Sequence, residues 1–165
     1  MPELSELRGQ INRIDTELRP LLEQRMDCAG QIADAKMQTA AQTGEKPVIF
    51  AGAREAEILA AVDAKEHTES IRRLMQEIMG ISRRHQYRRM LQNGALSDAF
   101  GAYQPGTPCR LILKPGKLND ALRIVCRYAV DVEQADQKQI ILSCADAEEM
   151  CVLRTQLIAE GCVQA

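Results

Sequence analysis

The sequence predicts an all-α unit of three helices over residues 1–92, a linker over residues 93–108 and a small α+β unit over residues 109–165. Two observations predict this fold class. In the first part, apolar residues recur every three or four positions, as in helices that pack along their length. After the linker, short segments of alternating polarity are interspersed with segments of helical spacing, which is typical of strands connected by helices.

Composition and charge exclude several classes of protein. The chain has 165 residues, of which 45% are hydrophobic and 27% charged, as in soluble globular proteins. No apolar run approaches the roughly 20 residues of a membrane span. The net charge of -2 and the aromatic share of 3% argue against a nucleic-acid-binding surface. Because the N-terminal residues alternate between apolar and charged types, without a signal-peptide pattern, we expect a cytoplasmic protein.

The six cysteines give no sign of a metal centre. They form neither a CxxC pair nor a His-rich cluster, and five of them fall in apolar stretches after residue 108. We interpret them as reduced, mostly buried thiols: Cys28, Cys109, Cys126, Cys144, Cys151 and Cys162.

The first helix is predicted by a long apolar stripe, which continues in phase past Pro20, so we expect a bend near Glu17 to Leu21 and no break. Such a narrow stripe usually packs against another helix. The residues of the stripe are Leu4, Leu7, Ile11, Ile14, Leu18, Leu21, Cys28, Ile32 and Ala35.

A long connection and two further helices complete the first part. Residues 37–53 lack a clear period and read as a loop. A shorter helix is predicted to start near Arg54, and a third to run from about Glu69 to Gln92. Three helices of such unequal length leave part of the first stripe uncovered. We therefore expect a homodimer, in which a symmetric partner covers that stripe.

The second part reads as strand, helix, strand, strand and helix, with a short last strand near Cys162 to Gln164. Asp146 and Glu149 have the three-residue offset of a capping box and predict where the last helix begins. This order of elements is that of a split βαβ, or ferredoxin-like, unit.

A cation lies in the apolar stripe of the first helix. Arg25 occupies a stripe position, which is costly for a guanidinium unless an anion answers it. An intramolecular ion pair or a snorkelling side chain is the simpler interpretation. Lys36, however, follows 11 residues later, within roughly 20° of Arg25 around the helix and about 16 Å along its axis. Two long cationic side chains at these positions can close on one small dianion.

Further polar residues have both a structural and a functional interpretation. Ser82 and Gln86 continue the apolar stripe of the third helix, so they either bond to neighbouring helices or face a ligand. Arg8 lies about 25 Å along the helix from Arg25, too far to share one small ligand within a chain, although an antiparallel partner could bring its own copy across. Otherwise it is a solvated surface charge. Arg54 and Glu55 open the second helix, where a glutamate commonly just favours the helix dipole.

The first part resembles the all-helical chorismate mutases over roughly residues 4 to 92. Five separated segments carry the resemblance in matching order and spacing: LRGQINRIDTELRPLLEQRM (residues 7–26), IADAK (32–36), KPV (46–48), REAEIL (54–59) and ISRRHQ (81–86). The resemblance implies conversion of chorismate to prephenate in phenylalanine and tyrosine biosynthesis. This reaction is a Claisen rearrangement within one molecule, so it requires neither nucleophile nor cofactor nor metal.

The resemblance also implies roles for individual residues. Arg25 and Arg8 from the second subunit would bind the two carboxylates of chorismate, with Ser82 assisting. Lys36 and Gln86 would bond the ether oxygen.

By the same resemblance, Glu55 would bond the ring hydroxyl and Arg54 would support the pocket. The sequence departs from the family in three features: the acidic residue expected shortly after Pro47 and Val48 is missing, the loop before them is extended, and Pro20 is present.

The second part resembles an ACT domain, a small regulatory module, in the segment LKPGKL (residues 113–118) and in the order of its elements. The resemblance implies an aromatic amino acid as effector, bound near Pro115, Gly116 and Leu118. Otherwise the segment simply dimerises. We expect this unit to modulate activity and not to perform it. The alternative for the whole chain is a catalytically silent helical dimer that binds a metabolite or a partner.

Overall fold

The computed structural model describes residues 2–63, 65–97 and 99–164. Its first part contains three α-helices, as predicted: α1 (Leu4–Thr43), α2 (Gly52–Ala60) and α3 (Thr68–Gln92), with a 3-10 turn at Lys65–His67 before α3.

Helix α1 is longer than the sequence predicted. The interpretation of residues 37–53 as one loop was wrong, since the helix continues to Thr43 and the connection is limited to residues 44–51. The hydroxyl of Thr39 donates to the carbonyl of Ala35 at 3.0 Å, so a polar residue continues the helix without leaving its side chain unpaired. Gly44 ends α1 with φ at 73°, a left-handed conformation that favours glycine. Pro20 lies inside α1 and does not end it.

Helices α1 and α3 lie side by side and run in the same direction. Arg25 contacts Ser82 near one level, and Asp34 and Arg89 form a bidentate ion pair at 2.6 and 2.7 Å further along. Gly30 lies between these levels, where an added Cβ would be only 3.3 Å from His85. The small residue therefore allows the two helices to approach closely.

The apolar stripe of α1 is largely uncovered in the single chain. In its first half, six large side chains are between 41% and 63% exposed: Leu4, Leu7, Ile11, Ile14, Leu18 and Leu21. Three large apolar residues of α3 are also exposed: Ile71, Leu74 and Ile81. An apolar surface of this extent marks an interaction site.

The second part, which we call the C-terminal unit (residues 109–164), has the predicted order of elements. They are β1 (Cys109–Ile112), α4 (Leu118–Val125), β2 (Asp131–Ala135), β3 (Gln139–Ser143) and α5 (Ala147–Ala159). The sheet has the order β1-β3-β2, and both pairings are antiparallel. An antiparallel bridge between Leu113 and Val163 brings the chain end beside β1, near the predicted last strand.

The core continues from the C-terminal unit into α3. Tyr87 and Met90 of α3 are at most 1% exposed and belong to the same buried cluster as Leu111, Leu142 and Leu153. Helix α5 therefore covers one side of α3, and the two parts of the chain share an apolar core.

One residue of the predicted capping box instead forms ion pairs across the contact between α3 and α5. Asp146 caps α5 as expected, accepting from the backbone N–H groups of Glu148 and Glu149. The Glu149 carboxylate is 4% exposed and binds Arg84 and Arg88 of α3, so it does not complete a capping box. A buried carboxylate gains more from two guanidinium partners than from one backbone N–H.

The six cysteines are free thiols, as expected. Only Cys144 and Cys162 are buried, so the expectation that most are buried was wrong. Burial raises the pKa of Cys162 to about 11. In the described part of the chain, none of the helices has the length and apolar character needed to cross a membrane.

Candidate active site

Arg25 is held by neutral acceptors. Its guanidinium donates to the hydroxyl of Ser82 and, at 3.4 Å, to the carbonyl of Ile78. Ser82 is 5% exposed and itself donates to the same carbonyl at 2.9 Å. Within the described residues no carboxylate forms an ion pair with Arg25, so its charge is oriented but not neutralised. A half-buried cation of this kind is prepared to bind an anion.

Lys36 is the second half-buried cation of α1. Its ammonium donates to the carbonyl of Ile49 at 2.9 Å and has no carboxylate partner among the described residues. Burial lowers its pKa, because desolvation disfavours the charged form. A cavity of about 350 Å³ lies between α1 and residues 45–48, and Lys36 lines it. The ammonium is therefore positioned by the connection that precedes α2.

Gln86 carries a buried amide without its full set of partners. The residue is 8% exposed, and its side-chain oxygen is buried with no hydrogen-bond partner among the described residues. Ser82 lies level with Arg25, and Arg89 lies level with Asp34. Gln86 therefore lies between the levels of Arg25 and Lys36, roughly 8 Å from each along the helix axis. An unsatisfied buried amide at this position points to a ligand.

Glu55 is bound by a residue that sequence reasoning did not single out. Its carboxylate, in the first turn of α2, accepts from Arg83 of α3, and Arg83 also donates to Glu160 at 2.8 Å. Burial alone would lower the pKa of Arg83, but the carboxylates of Glu160 and Glu55 outweigh it and raise the pKa. The only sequence signal was the position of Arg83 between Ser82 and Gln86.

The remaining predicted site residues stand apart in the single chain. Arg54 is exposed and pairs with Glu57 at 3.1 Å, with both side chains more than 60% exposed. Arg8 is exposed near the start of α1, about 25 Å along the helix from Arg25. The structure thus brings Arg25 and Ser82 together, with Lys36 and Gln86 on the same pair of helices, but it does not bring Arg8 or Arg54 to them.

The predicted effector residues lie at the turn between β1 and α4. Pro115 and Gly116 are exposed, and Gly116 has φ at 73°. Leu118, the first residue of α4, packs partly buried against the core.

The described residues contain no group of three or more His, Cys, Asp or Glu side chains arranged to hold a metal ion. What the geometry offers is two unneutralised cations, a hydroxyl and an amide along two parallel helices. Such a set can bind a small dianion and stabilise negative charge on an oxygen between the cations.

Comparison with known proteins agrees with this chemistry. Residues 7–87 match the family model of chorismate mutase type II, and the matched segment includes the predicted site residues of α1, α2 and α3. No curated protein and no solved structure matches the chain significantly. Residues 7–87 therefore belong to the chorismate mutase type II family, whose members are isomerases.

Proposed function

We propose that the protein converts chorismate to prephenate at a site formed by Arg25, Lys36, Ser82 and Gln86. The observation that carries the proposal is that, within the described residues, two half-buried cations have no carboxylate partner and share a pair of helices with a buried amide whose oxygen lacks a hydrogen-bond partner. These groups lie within the segment that matches the family.

The reaction is a concerted bond exchange within one dianion, so catalysis consists of folding the substrate and stabilising its transition state. Arg25 binds one carboxylate and is oriented for this by Ser82. As the C–O bond breaks, negative charge develops on the ether oxygen. The ammonium of Lys36, which the carbonyl of Ile49 already orients, and the amide N–H of Gln86 donate to that oxygen.

Glu55 and Arg54 have supporting roles in this proposal. Glu55 accepts a hydrogen bond from the ring hydroxyl with the carboxylate oxygen that Arg83 leaves free. Arg54 lies at the start of α2 and pairs with the exposed Glu57. When substrate binds, it releases Glu57 and binds the substrate or a site residue, which supports the pocket.

We place the second carboxylate on Arg8 of the partner subunit, in a homodimer with two shared sites. The exposed stripe of α1 supports this arrangement. Burying a Leu or Ile side chain fully is worth about 1.5–3 kcal/mol. The six side chains are about half exposed, so covering both copies of the stripe in a dimer contributes about 9–18 kcal/mol, which is comparable with the about 4–15 kcal/mol that association costs. An antiparallel second copy of α1 would cover the stripe and bring its Arg8 toward Arg25.

The function of the C-terminal unit is proposed separately. We assign residues 1–92 to catalysis and residues 109–165 to an ACT-like regulatory domain that takes an aromatic amino acid near the turn at Pro115. The strand order and the exposed turn are consistent with such a domain. Heat-denaturation scans with phenylalanine, tyrosine and tryptophan are the measurement that tests it. A cytoplasmic location is supported by the six free thiols, which suit a reducing compartment.

The function is tested by following the loss of chorismate absorbance with purified protein and no added metal. We expect turnover well above the uncatalysed rate, and a strong reduction in Arg25→Ala. If folded wild-type protein shows no turnover, the chain is instead a silent helical dimer that binds a metabolite or a partner.

Activity should fall at alkaline pH as Lys36 loses its proton, since the positive charge of the ammonium stabilises the negative charge that develops on the ether oxygen. Because burial lowers its pKa, the decline in kcat/KM should begin below the pH expected for an exposed lysine of pKa about 10.4. The pH profile of kcat/KM reports the free enzyme. In Lys36→Arg, whose guanidinium does not titrate in this range, the decline should disappear. A wild-type profile that is flat to pH 10 would contradict this role.

A further inference from the structure

Arg83 connects three elements of the fold through one buried guanidinium. It donates to Glu55 of α2 and, at 2.8 Å, to Glu160, the residue that follows α5. The guanidinium also lies 5.3 Å from the centre of the ring of Phe50, a residue of the connection between α1 and α2. The side chains of Arg83 and Glu160 are 11% and 8% exposed, so water screens this contact poorly.

Through these contacts Arg83 holds a segment of the chain that contacts Lys36. Phe50 directly follows Ile49, whose carbonyl accepts from the Lys36 ammonium. Glu55 lies one turn further on. Arg83 therefore helps to fix where the partner of Lys36 and the carboxylate of Glu55 lie relative to α3, while Arg72 of α3 holds the carbonyl of Leu59 near the end of α2.

Glu160 is in turn fixed by the core of the C-terminal unit. Its carboxylate accepts from the Gln156 amide at 2.7 Å, and Gln156 accepts from the hydroxyl of Tyr128. Gln156 is fully buried and Tyr128 is 7% exposed. Burial raises the pKa of Glu160, which Arg83 offsets only in part. Glu160 thus fixes the orientation of the Arg83 guanidinium, which also binds Glu55.

Other ion pairs across the same contact do not reach the site. Arg127 follows α4, its side chain is 9% exposed, and it binds Glu77 of α3 bidentately at 2.8 and 2.9 Å. It lies against Gly80, where an added Cβ would be 2.5 Å from its Nε. Arg127 matches Arg83 in residue type, burial and role in docking, but none of its hydrogen bonds or ion pairs involves Phe50 or Glu55.

We propose that Arg83 and Glu160 are positioning residues of the active site: Arg83 places Glu55 and the Phe50 segment, and Glu160 of the C-terminal unit holds Arg83. This inference rests on the proposed function for its kinetic consequences. It gives the C-terminal unit a direct part in shaping the site, in addition to any effector it binds. A chain ending at Gln92 would lack Glu160 and would also expose Tyr87 and Met90.

The kinetic test compares Arg83→Met with the matched control Arg127→Met in the full chain. Arg83→Met should lower kcat/KM for chorismate about tenfold, while Arg127→Met remains within about twofold of wild type at a similar melting temperature. Glu160→Ala should lower kcat/KM about threefold, because Arg83 then keeps Glu55 but loses its anchor. Combining Arg83→Met with Glu55→Gln should cost less than the sum of the two separate losses, since Arg83 acts in part through Glu55. Equal kcat/KM values for the two Arg→Met variants, or additive losses in the double variant, would overturn the proposal.

Hydrogen exchange tests the same proposal without activity. Amide exchange in residues 45–57 should accelerate in Arg83→Met more than in Arg127→Met, because only the first variant releases this segment. Equal exchange in both variants would overturn the positioning role even in an active enzyme. Wild-type protein that does not convert chorismate would refute the proposed function instead, and the exchange result would still decide whether Arg83 holds the segment.

Discussion

Gln86→Ala is expected to lower kcat for chorismate by about 30- to 1000-fold while leaving the fold intact. Removing one preorganised donor to a developing oxyanion costs roughly 2–4 kcal/mol of barrier. The amide lies between the levels of Arg25 and Lys36, and its oxygen has no partner among the described residues. Because the amide oxygen has no hydrogen-bond partner to lose among the described residues, the melting temperature should change much less than kcat.

Gln92→Ala is the matched control for this prediction. Gln92 lies on the same helix, and its exposed amide donates to Glu148 at 3.0 Å, outside the proposed site. Its removal should leave kcat near the wild-type value. If Gln86→Ala is folded and retains the wild-type kcat, Gln86 is a structural residue. If both variants lose activity equally, the cause lies in α3 and not in a donor to the ether oxygen.

The helices and their order could be predicted from the sequence because the signals are local. The apolar stripe from Leu4 to Leu21 identifies α1, and the change to alternating segments after residue 108 identifies the sheet. Arg25 could be singled out for the same reason. A charged residue at a position of the apolar stripe has a free-energy cost of burial that the sequence alone predicts. The match of residues 7–87 to the family model confirms the family inferred from the motifs.

The end of α1 could not be predicted in the same way. Residues 37–43 carry no apolar stripe, which is the signal that identified the rest of the helix, although Met37, Gln38, Ala40, Ala41 and Gln42 are all good helix formers. Their helical state depends on continuation of the helix before them and on the left-handed cap at Gly44. Once nucleated, a helix extends through residues that would not start one.

The position of Glu55 depends on contacts between residues that are distant in sequence. Arg83 lies 28 residues from Glu55 and 77 from Glu160, and nothing in the sequence states which arginine of the ISRRHQ segment meets which carboxylate. The neighbouring Arg84 binds Glu149 instead. Helix α3 presents these two arginines on different sides, and only the packing of α2 and α5 decides their partners.

The shared active site is tested most directly by mixing two inactive variants. Arg8 and Arg25 are about 25 Å apart along one helix, so a single chain cannot place both on one substrate. In an Arg8→Ala or Arg25→Ala homodimer, each of the two sites lacks one carboxylate-binding arginine. Losing a hydrogen bond to a charged group costs about 1.5–3 kcal/mol, so each variant should retain on the order of 10% of activity or less.

A mixed dimer of these variants has one site with both arginines and one site with neither. With random exchange of equal amounts, half of the dimers are mixed and each carries one intact site of two, so roughly a quarter of wild-type activity should return. Chain exchange must be confirmed first, by mass spectrometry of differently tagged chains.

Arg13→Ala mixed with Arg25→Ala is the control, because Arg13 lies on the same exposed helix and has no assigned role. If exchange is complete and the Arg8→Ala and Arg25→Ala mixture is no more active than the average of its components, Arg8 does not cross the interface and is a solvated surface charge.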